Sequence, residues 1–271
     1  MTSSVIASST NPLVKKLTSL SRKKGRAETG LFLAEGARLV EQGLARDWRL
    51  DTLLISASMV DRPHLDALAA RANATGARVV SVADRLMSKI TRKENAQSVL
   101  AAFHQRHWSL DDLAKTLPAK ASLYVALYEV RDPGNLGTIL RTLDCAGASG
   151  VVLVGSCCDP YSFEAVRASM GSVFDVPFTT ASFPDLDAWR KDLGLSMTAA
   201  SMNGCIRYDR FDLTGASLLL MGNEQAGLPP AVEAACDALV QIPMRGGADS
   251  LNLAQATAIM VYEAWRQRDF R

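Results

Sequence analysis

The feature that most constrains this chain is an alternation of short apolar runs with helical stretches that occurs twice and is broken once by a polar interval. In the first half, β-type runs at 31–34, 53–55, 78–82 and 98–103 are interleaved with helical stretches at 37–46 and 84–90 and a helix that Pro63 opens and Gly76 ends. A further helix is expected over 12–21. The interval 104–121 is polar and broken, with Asp111-Asp112, Lys115 and Pro118. Beyond it, strands are expected at 123–128, 151–154, 197–200, 218–221 and 239–242, with helices at 136–146, 163–170, 186–193 and 251–268. The spacing predicts an α/β protein whose second half is a parallel sheet covered on both faces. It divides the chain into an N-terminal domain (1–106), a linker (107–121) and a C-terminal domain (122–271).

Ligands of parallel sheets bind where strands end at their carboxyl side, and three segments fall there. In Arg131-Asp132-Pro133-Gly134-Asn135-Leu136-Gly137-Thr138-Ile139-Leu140-Arg141, Pro-Gly makes a turn and Asn135 is suited to cap the next helix. Arg141 falls opposite the apolar stripe of Leu136, Ile139, Leu140 and Leu143. In Met221-Gly222-Asn223-Glu224-Gln225-Ala226-Gly227, two glycines flank a carboxylate and let the backbone bend closely around a ligand. In the third, running from Ile242-Pro243-Met244 to Ser250-Leu251-Asn252, a loop ends where Ser250 is placed to cap a helix. Asn252 then falls inside its first turn, where an amide is a poor helix former. Taken singly, each segment also reads as an ordinary turn or cap.

Charge is uneven. Residues 1–118 hold 18 Lys and Arg against 11 Asp and Glu, while the remainder holds 12 against 17. Lys15, Lys16, Arg22, Lys23, Lys24 and Arg26 precede the first acid, a pattern that suits phosphate-backbone binding and equally suits a solvated tail. The five cysteines include no C-x-x-C, which argues against a disulfide framework or a zinc site. No run is long and apolar enough to cross a membrane, and no secretion signal opens the chain. The sequence reads as that of a reduced, cytoplasmic protein.

Taken together and in this order, the three segments resemble the SpoU/TrmH family of RNA 2′-O-ribose methyltransferases, of the SPOUT superfamily. Asn135 with Arg141 is similar to the first family motif, and Gly222, Glu224 and Gly227 to the second. Ile242-Pro243-Met244 with Ser250-Leu251-Asn252 is similar to the third, and no motif position departs. Arg167-Ala168-Ser169-Met170-Gly171-Ser172 followed by Pro177-Phe178 also resembles a family stretch. The first half, with Phe32-Leu33-Ala34-Glu35-Gly36, resembles the family's ribosomal-protein-like substrate-binding domain. The resemblance implies a C-terminal sheet closed by a deep trefoil knot, which no periodicity argument produces, and a homodimer.

It further implies S-adenosyl-L-methionine as cofactor, held near Gly222, Glu224, Gly227, Ile242, Met244 and Leu251. The reaction it implies is methyl transfer to a ribose 2′-hydroxyl, with Arg141, Asn135, Glu224, Ser250 and Asn252 as the catalytic set. The substrate is RNA, with ribosomal RNA preferred and transfer RNA the alternative. Arg141 acts either as a base with a depressed pKa or as a phosphate clamp; the clamp is what a guanidinium does well. The competing readings are a non-catalytic RNA-binding protein, a nucleotide enzyme on an ordinary doubly wound sheet, and a methyltransferase acting on a base nitrogen.

Overall fold

The computed structural model describes residues 5–60, 62–115, 122–247 and 249–271. They form two compact units: Met1–Arg106 with Asp159–Phe174, and His107–Cys158 with Asp175–Arg271. Among the described residues no helix is long and apolar enough to cross a membrane.

The first unit is built on a four-stranded sheet in the order β1 (Leu31–Glu35), β4 (Val99–His104), β2 (Leu50–Ser56), β3 (Arg78–Val82). β4 runs antiparallel to both neighbours, and β2 pairs with β3 in parallel. Helices α1 (Pro12–Ser19), α3 (Ala37–Ala45), α4 (Pro63–Ala74) and α5 (Asp84–Thr91) follow the apolar periodicity of the sequence. Helix α2 (Lys23–Thr29) lies in a stretch with no apolar stripe to betray it. The segment Asp159–Phe174 joins this unit through aromatic packing. Tyr161 and Phe174 pack with Phe32, Trp48 and Phe103, and the Trp48 indole donates to the Phe174 carbonyl at 3.0 Å. Burial of such rings is worth a few kcal/mol each.

In the second unit seven strands pair in parallel throughout. The order is β7 (Phe178–Ala181), β6 (Gly150–Val154), β5 (Leu123–Tyr128), β10 (Ser217–Met221), β8 (Ser196–Ala200), β11 (Ala238–Gln241), β9 (Ile206–Arg207). The central strands read as unbroken apolar runs because helices cover both faces. Leu218, Leu219 and Leu220 of β10 are fully buried. After α7 (Pro133–Cys145) the chain forms α8 (Phe163–Ala168, in the first unit), α9 (Phe183–Asp192) and α10 (Pro230–Glu233), and α7 packs against the closing helix α11 (Leu253–Gln267). The short β7 and β9 are absent from the sequence-based pattern.

The interval read as a linker contains a helix of its own, α6 (Leu110–Ala114), capped by Ser109 and anchored by the fully buried Leu113. Pro118 lies outside the described residues. Two caps also differ from expectation. Asp132, not Asn135, caps α7, its carboxylate accepting from Gly134 N at 2.6 Å and Asn135 N at 3.2 Å. Pro133 at the first helical position is the signal that places the cap one residue before it. Asn252, not Ser250, caps α11, accepting from Ala254 N and Gln255 N.

Candidate active site

Strands β5, β10, β8 and β11 are neighbours, so the loops leaving their carboxyl ends meet at one rim. The loop after β10 is shaped by its glycines. Asn223 and Gly227 exchange backbone hydrogen bonds at 2.9 and 3.0 Å, with Gly227 in the left-handed region at φ +65°. A Cβ on Gly222 would sit 2.6 Å from the Gly227 carbonyl carbon, so no larger residue fits there without moving backbone. Asn223, which the sequence motifs do not single out, stiffens the turn. Its Oδ1 accepts from Gln225 N and Ala226 N, and its amide donates to the Glu129 carbonyl at 2.7 Å. An asparagine just before a glycine-closed turn is the signal for this role.

That turn holds Glu224 in place. Its carboxylate accepts from Arg131 N and Asp132 N, both at 3.2 Å, and from the Asn135 amide at 3.2 Å. Desolvation pushes its pKa up, but the backbone N–H groups of Glu224, Arg131 and Asp132 together with the Asn135 amide outweigh it. Glu224 is thereby held below its ordinary value. Asn135 in turn accepts from the Asn252 amide at 2.9 Å. The cap of α11, the first turn of α7 and the glycine turn after β10 are thus tied by one chain of polar contacts.

A cavity of about 410 Å³ opens at the ends of β8, β10 and β11, lined among others by Gly222, Glu224, Gly227, Ile242, Met244 and Leu251. All six residues expected to hold a cofactor therefore share one wall system. The charged residues in the lining are Glu224, Glu233 and Asp249, with no cation among them, which suits a ligand bearing positive charge. Glu233 accepts from Ser201 Oγ at 2.5 Å and the Asn203 amide at 3.0 Å. A second cavity of about 410 Å³ shares Glu224, Ser250 and Leu251 with the first and adds Arg131, Asp132, Asn135 and Asn252. Four of the five expected catalytic residues line it.

Arg141 does not join them. It is exposed on α7, lines neither cavity, and its side chain has no hydrogen bond or ion pair among the described residues. Six residues beyond Asn135, it lies about 9 Å further along the helix at 1.5 Å per residue. Of the basic residues, Lys15, Arg22, Lys23 and Lys24 are exposed and Lys16 pairs with Asp51 at 3.3 Å. Arg26 has to be withdrawn from the RNA-facing set. It is 4% exposed and spends its guanidinium on Asp159, at 2.6 Å, and on the Leu20 carbonyl, at 2.8 Å.

A parallel sheet with a ligand cavity at its strand ends, fringed by carboxylate and amides, defines the class as an α/β protein with a small-ligand site at the rim of its sheet. Comparison with known proteins gives the family. Residues 122–262 match the SpoU rRNA Methylase family and residues 11–101 the MRM3-like substrate binding domain. The 23S rRNA (guanosine(2553)-2′-O)-methyltransferase of Bacillus subtilis is 30% identical over 257 residues, covering 95% of this chain and 97% of that protein. The 23S rRNA (uridine(2479)-2′-O)-methyltransferase of Streptomyces viridochromogenes is 32% identical, covering 92% and 87%. The AdoMet-bound rRNA methyltransferase of Sinorhizobium meliloti superimposes with a TM-score of 0.89 at 45% identity, covering 96% of this chain and 97% of that one. The chain belongs to the SpoU rRNA methylase family.

Proposed function

We infer that the chain transfers a methyl group from S-adenosylmethionine to a ribose 2′-hydroxyl of ribosomal RNA. The observation that carries this reading is the abutment of two cavities along Glu224, Ser250 and Leu251. One is lined by acids and backbone turns, the other by Asn135 and Asn252.

The acid-lined cavity fits a cation, and its volume lies within the range of about 300–1,000 Å³ usual for small-molecule sites. When bound, S-adenosylmethionine supplies a methyl carbon on a sulfonium leaving group. Gly222 lets the turn close against Gly227 and so shapes the wall of the site, and Ile242, Met244 and Leu251 offer the apolar contacts. Glu224 is fixed by three donors and remains ionised at neutral pH, since its pKa is held low. Its part is to orient Asn135, and through it Asn252, toward the ribose. Arg141, whose side chain has no partner among the described residues, clamps the phosphate beside the target ribose and stabilises the developing alkoxide, and the 2′-hydroxyl proton passes to solvent. RNA rather than DNA is the substrate because the 2′-oxygen exists only there.

The trefoil crossing and a homodimer belong to the same reading. Sedimentation of the purified protein tests the second. Titration with S-adenosylhomocysteine and transfer of labelled methyl to protein-free ribosomal RNA test the whole. A label recovered in a 2′-O-methyl nucleoside supports it, and one recovered on a base nitrogen overturns it.

A further inference from the structure

Two segments that stand out in the sequence, 32–36 and 167–172, take no part in the site just described. Both contribute to a third cavity, of about 220 Å³, within the first unit. Leu33, Ile90 and Phe163 give it an apolar floor, and Arg92, Lys93 and Arg167 line it with positive charge.

The three cations are not equivalent. Lys93 is bound to the carboxylate of Glu35, and its ammonium lies 4.9 Å from the centre of the Phe163 ring. Its charge is compensated and it covers the ring face, so stacking on Phe163 is blocked. Glu35 is 4% exposed and its other oxygen accepts from Gln97 N at 3.0 Å, which fixes the pair. Arg92 and Arg167, by contrast, are exposed, and their side chains have no hydrogen bond or ion pair among the described residues. Only Glu164 opposes them in the lining. Arg92 also occupies the left-handed region, at φ 57°, as it closes α5 with its N–H on the Ser88 carbonyl. A bulky side chain takes that conformation at a cost.

Two uncommitted guanidiniums beside an apolar recess match a nucleotide: phosphate oxygens for the forks and a planar base edge-on in the recess. A base inside a duplex is stacked and out of reach, so the nucleotide must be unpaired. We propose that this pocket receives one unpaired nucleotide of the substrate RNA, its base against Leu33, Ile90 and Phe163 and its flanking phosphates on Arg92 and Arg167. The pocket thus selects the site of modification, and its assignment rests on the reading of the chain as a ribosomal RNA methyltransferase.

The test measures binding of the full chain to protein-free 23S ribosomal RNA as salt is varied, for the wild type, Arg92→Gln and Ser21→Phe. Ser21 lines the pocket, half-buried, with its hydroxyl donating to the Thr18 carbonyl at 2.9 Å, so phenylalanine plugs the recess without altering charge. Arg92→Gln is expected to weaken binding about fivefold or more and to lower the salt slope by roughly one. Ser21→Phe is expected to weaken binding with the slope unchanged. Both are expected to keep wild-type affinity for S-adenosylhomocysteine. Wild-type binding by Ser21→Phe overturns the pocket, even if Arg92→Gln is weakened, because the arginine is then only a surface charge. Should Ser21→Phe not fold, photo-crosslinking of wild-type protein to thionucleotide-substituted 23S RNA decides. Crosslinks in peptides carrying Leu33 or Phe163 support the pocket, and crosslinks confined elsewhere overturn it. Saturable binding of a free 5′-mononucleotide that leaves RNA affinity untouched also overturns it in favour of a small-molecule site. A wild-type chain that binds neither ribosomal RNA nor S-adenosylhomocysteine removes the functional reading itself. One that binds both and methylates, with variants unaffected, removes only the pocket.

Discussion

Asn135 accepts the amide of Asn252 at 2.9 Å while donating its own amide to Glu224 at 3.2 Å. One neutral side chain therefore joins a carboxylate to an amide that would not otherwise meet. Its two ends need opposite polarity, which restricts the position to Asn or a close amide. Asn135→Asp places a second carboxylate against Glu224, where like charges disfavour each other. Methyl transfer to RNA is expected to fall at least a hundredfold, with S-adenosylhomocysteine affinity changing only a few-fold. Parallel activity and titration measurements check this, and retained transfer would remove the polar chain from the mechanism.

Among the described residues, the Arg141 side chain has no structural partner to lose. Arg141→Ala is expected to leave thermal stability and cofactor affinity at wild-type level and to reduce transfer by about 10²–10³-fold, the scale of one lost charge-stabilising donor. Arg141→Lys is expected to recover little if the planar fork is what holds phosphate. Full recovery by lysine would leave a point charge as the only requirement.

Gly222 tests the cavity. Its alanine variant must displace the Asn223–Gly227 pairing, since the new Cβ would lie 2.6 Å from backbone. Calorimetry is expected to show loss of saturable S-adenosylhomocysteine binding in a protein that still folds. Unchanged affinity would place the cofactor elsewhere.

The pH dependence follows from Glu224. Its folded pKa is depressed, so the stabilisation it confers is complete above the unfolded value of about 4.3 and is lost as pH falls through the lower folded one. This group therefore gives no change in cofactor affinity between about pH 5 and 8, and an acid limb below the usual glutamate range. Titrations carried down to about pH 3, below the usual glutamate range, in wild type and Glu224→Gln check the assignment, and the variant is expected to lack that limb.

The basic residues near the N-terminus divide into two kinds. Neutralising Lys15, Arg22, Lys23 and Lys24, all exposed, is expected to flatten the salt dependence of RNA binding by roughly one for each phosphate left without its cation. Arg26→Ala instead strands the mostly buried Asp159 carboxylate, and breaking such a pair costs about 3–5 kcal/mol. Thermal unfolding is expected to register it while the salt slope stays put.

Much of the architecture is legible in the sequence because both sheets are built from apolar runs with clear periods. The stretch 78–82 is the strand β3, and Pro63 opens α4 as expected. The rest escapes for identifiable reasons. α2 is seven residues of mostly charged side chains, and β9 is two residues that pair only at the sheet edge. Both caps fall away from their expected positions because several capping residues lie within three positions of each other. Only the backbone angles of Asp132 and Asn252 decide between them. The membership of 159–174 in the first unit depends on aromatic packing with Phe32 and Trp48, far away in sequence. The cavity residues are legible because glycine spacing and strand ends are local features. The isolation of Arg141 is not, since helix periodicity gives a face but not a distance to another loop.

The strand order has a consequence for the timing of folding. β10 pairs Leu218 with Tyr124 on one side and with Met197 on the other, so its two neighbours are synthesised well before the strand that joins them. Until Met221 is made, β5 presents one unsatisfied edge and β8 presents two, because its other neighbour β11 is made later still, and no direct ladder joins β8 to the β5–β6–β7 side of the sheet. Pairing across such sequence separations is slow because loop closure precedes the reward of contact. A chain arrested before Ser217 therefore leaves one edge of β5 and both edges of β8 open, and assembly of the cofactor cavity waits on the insertion of the middle strand.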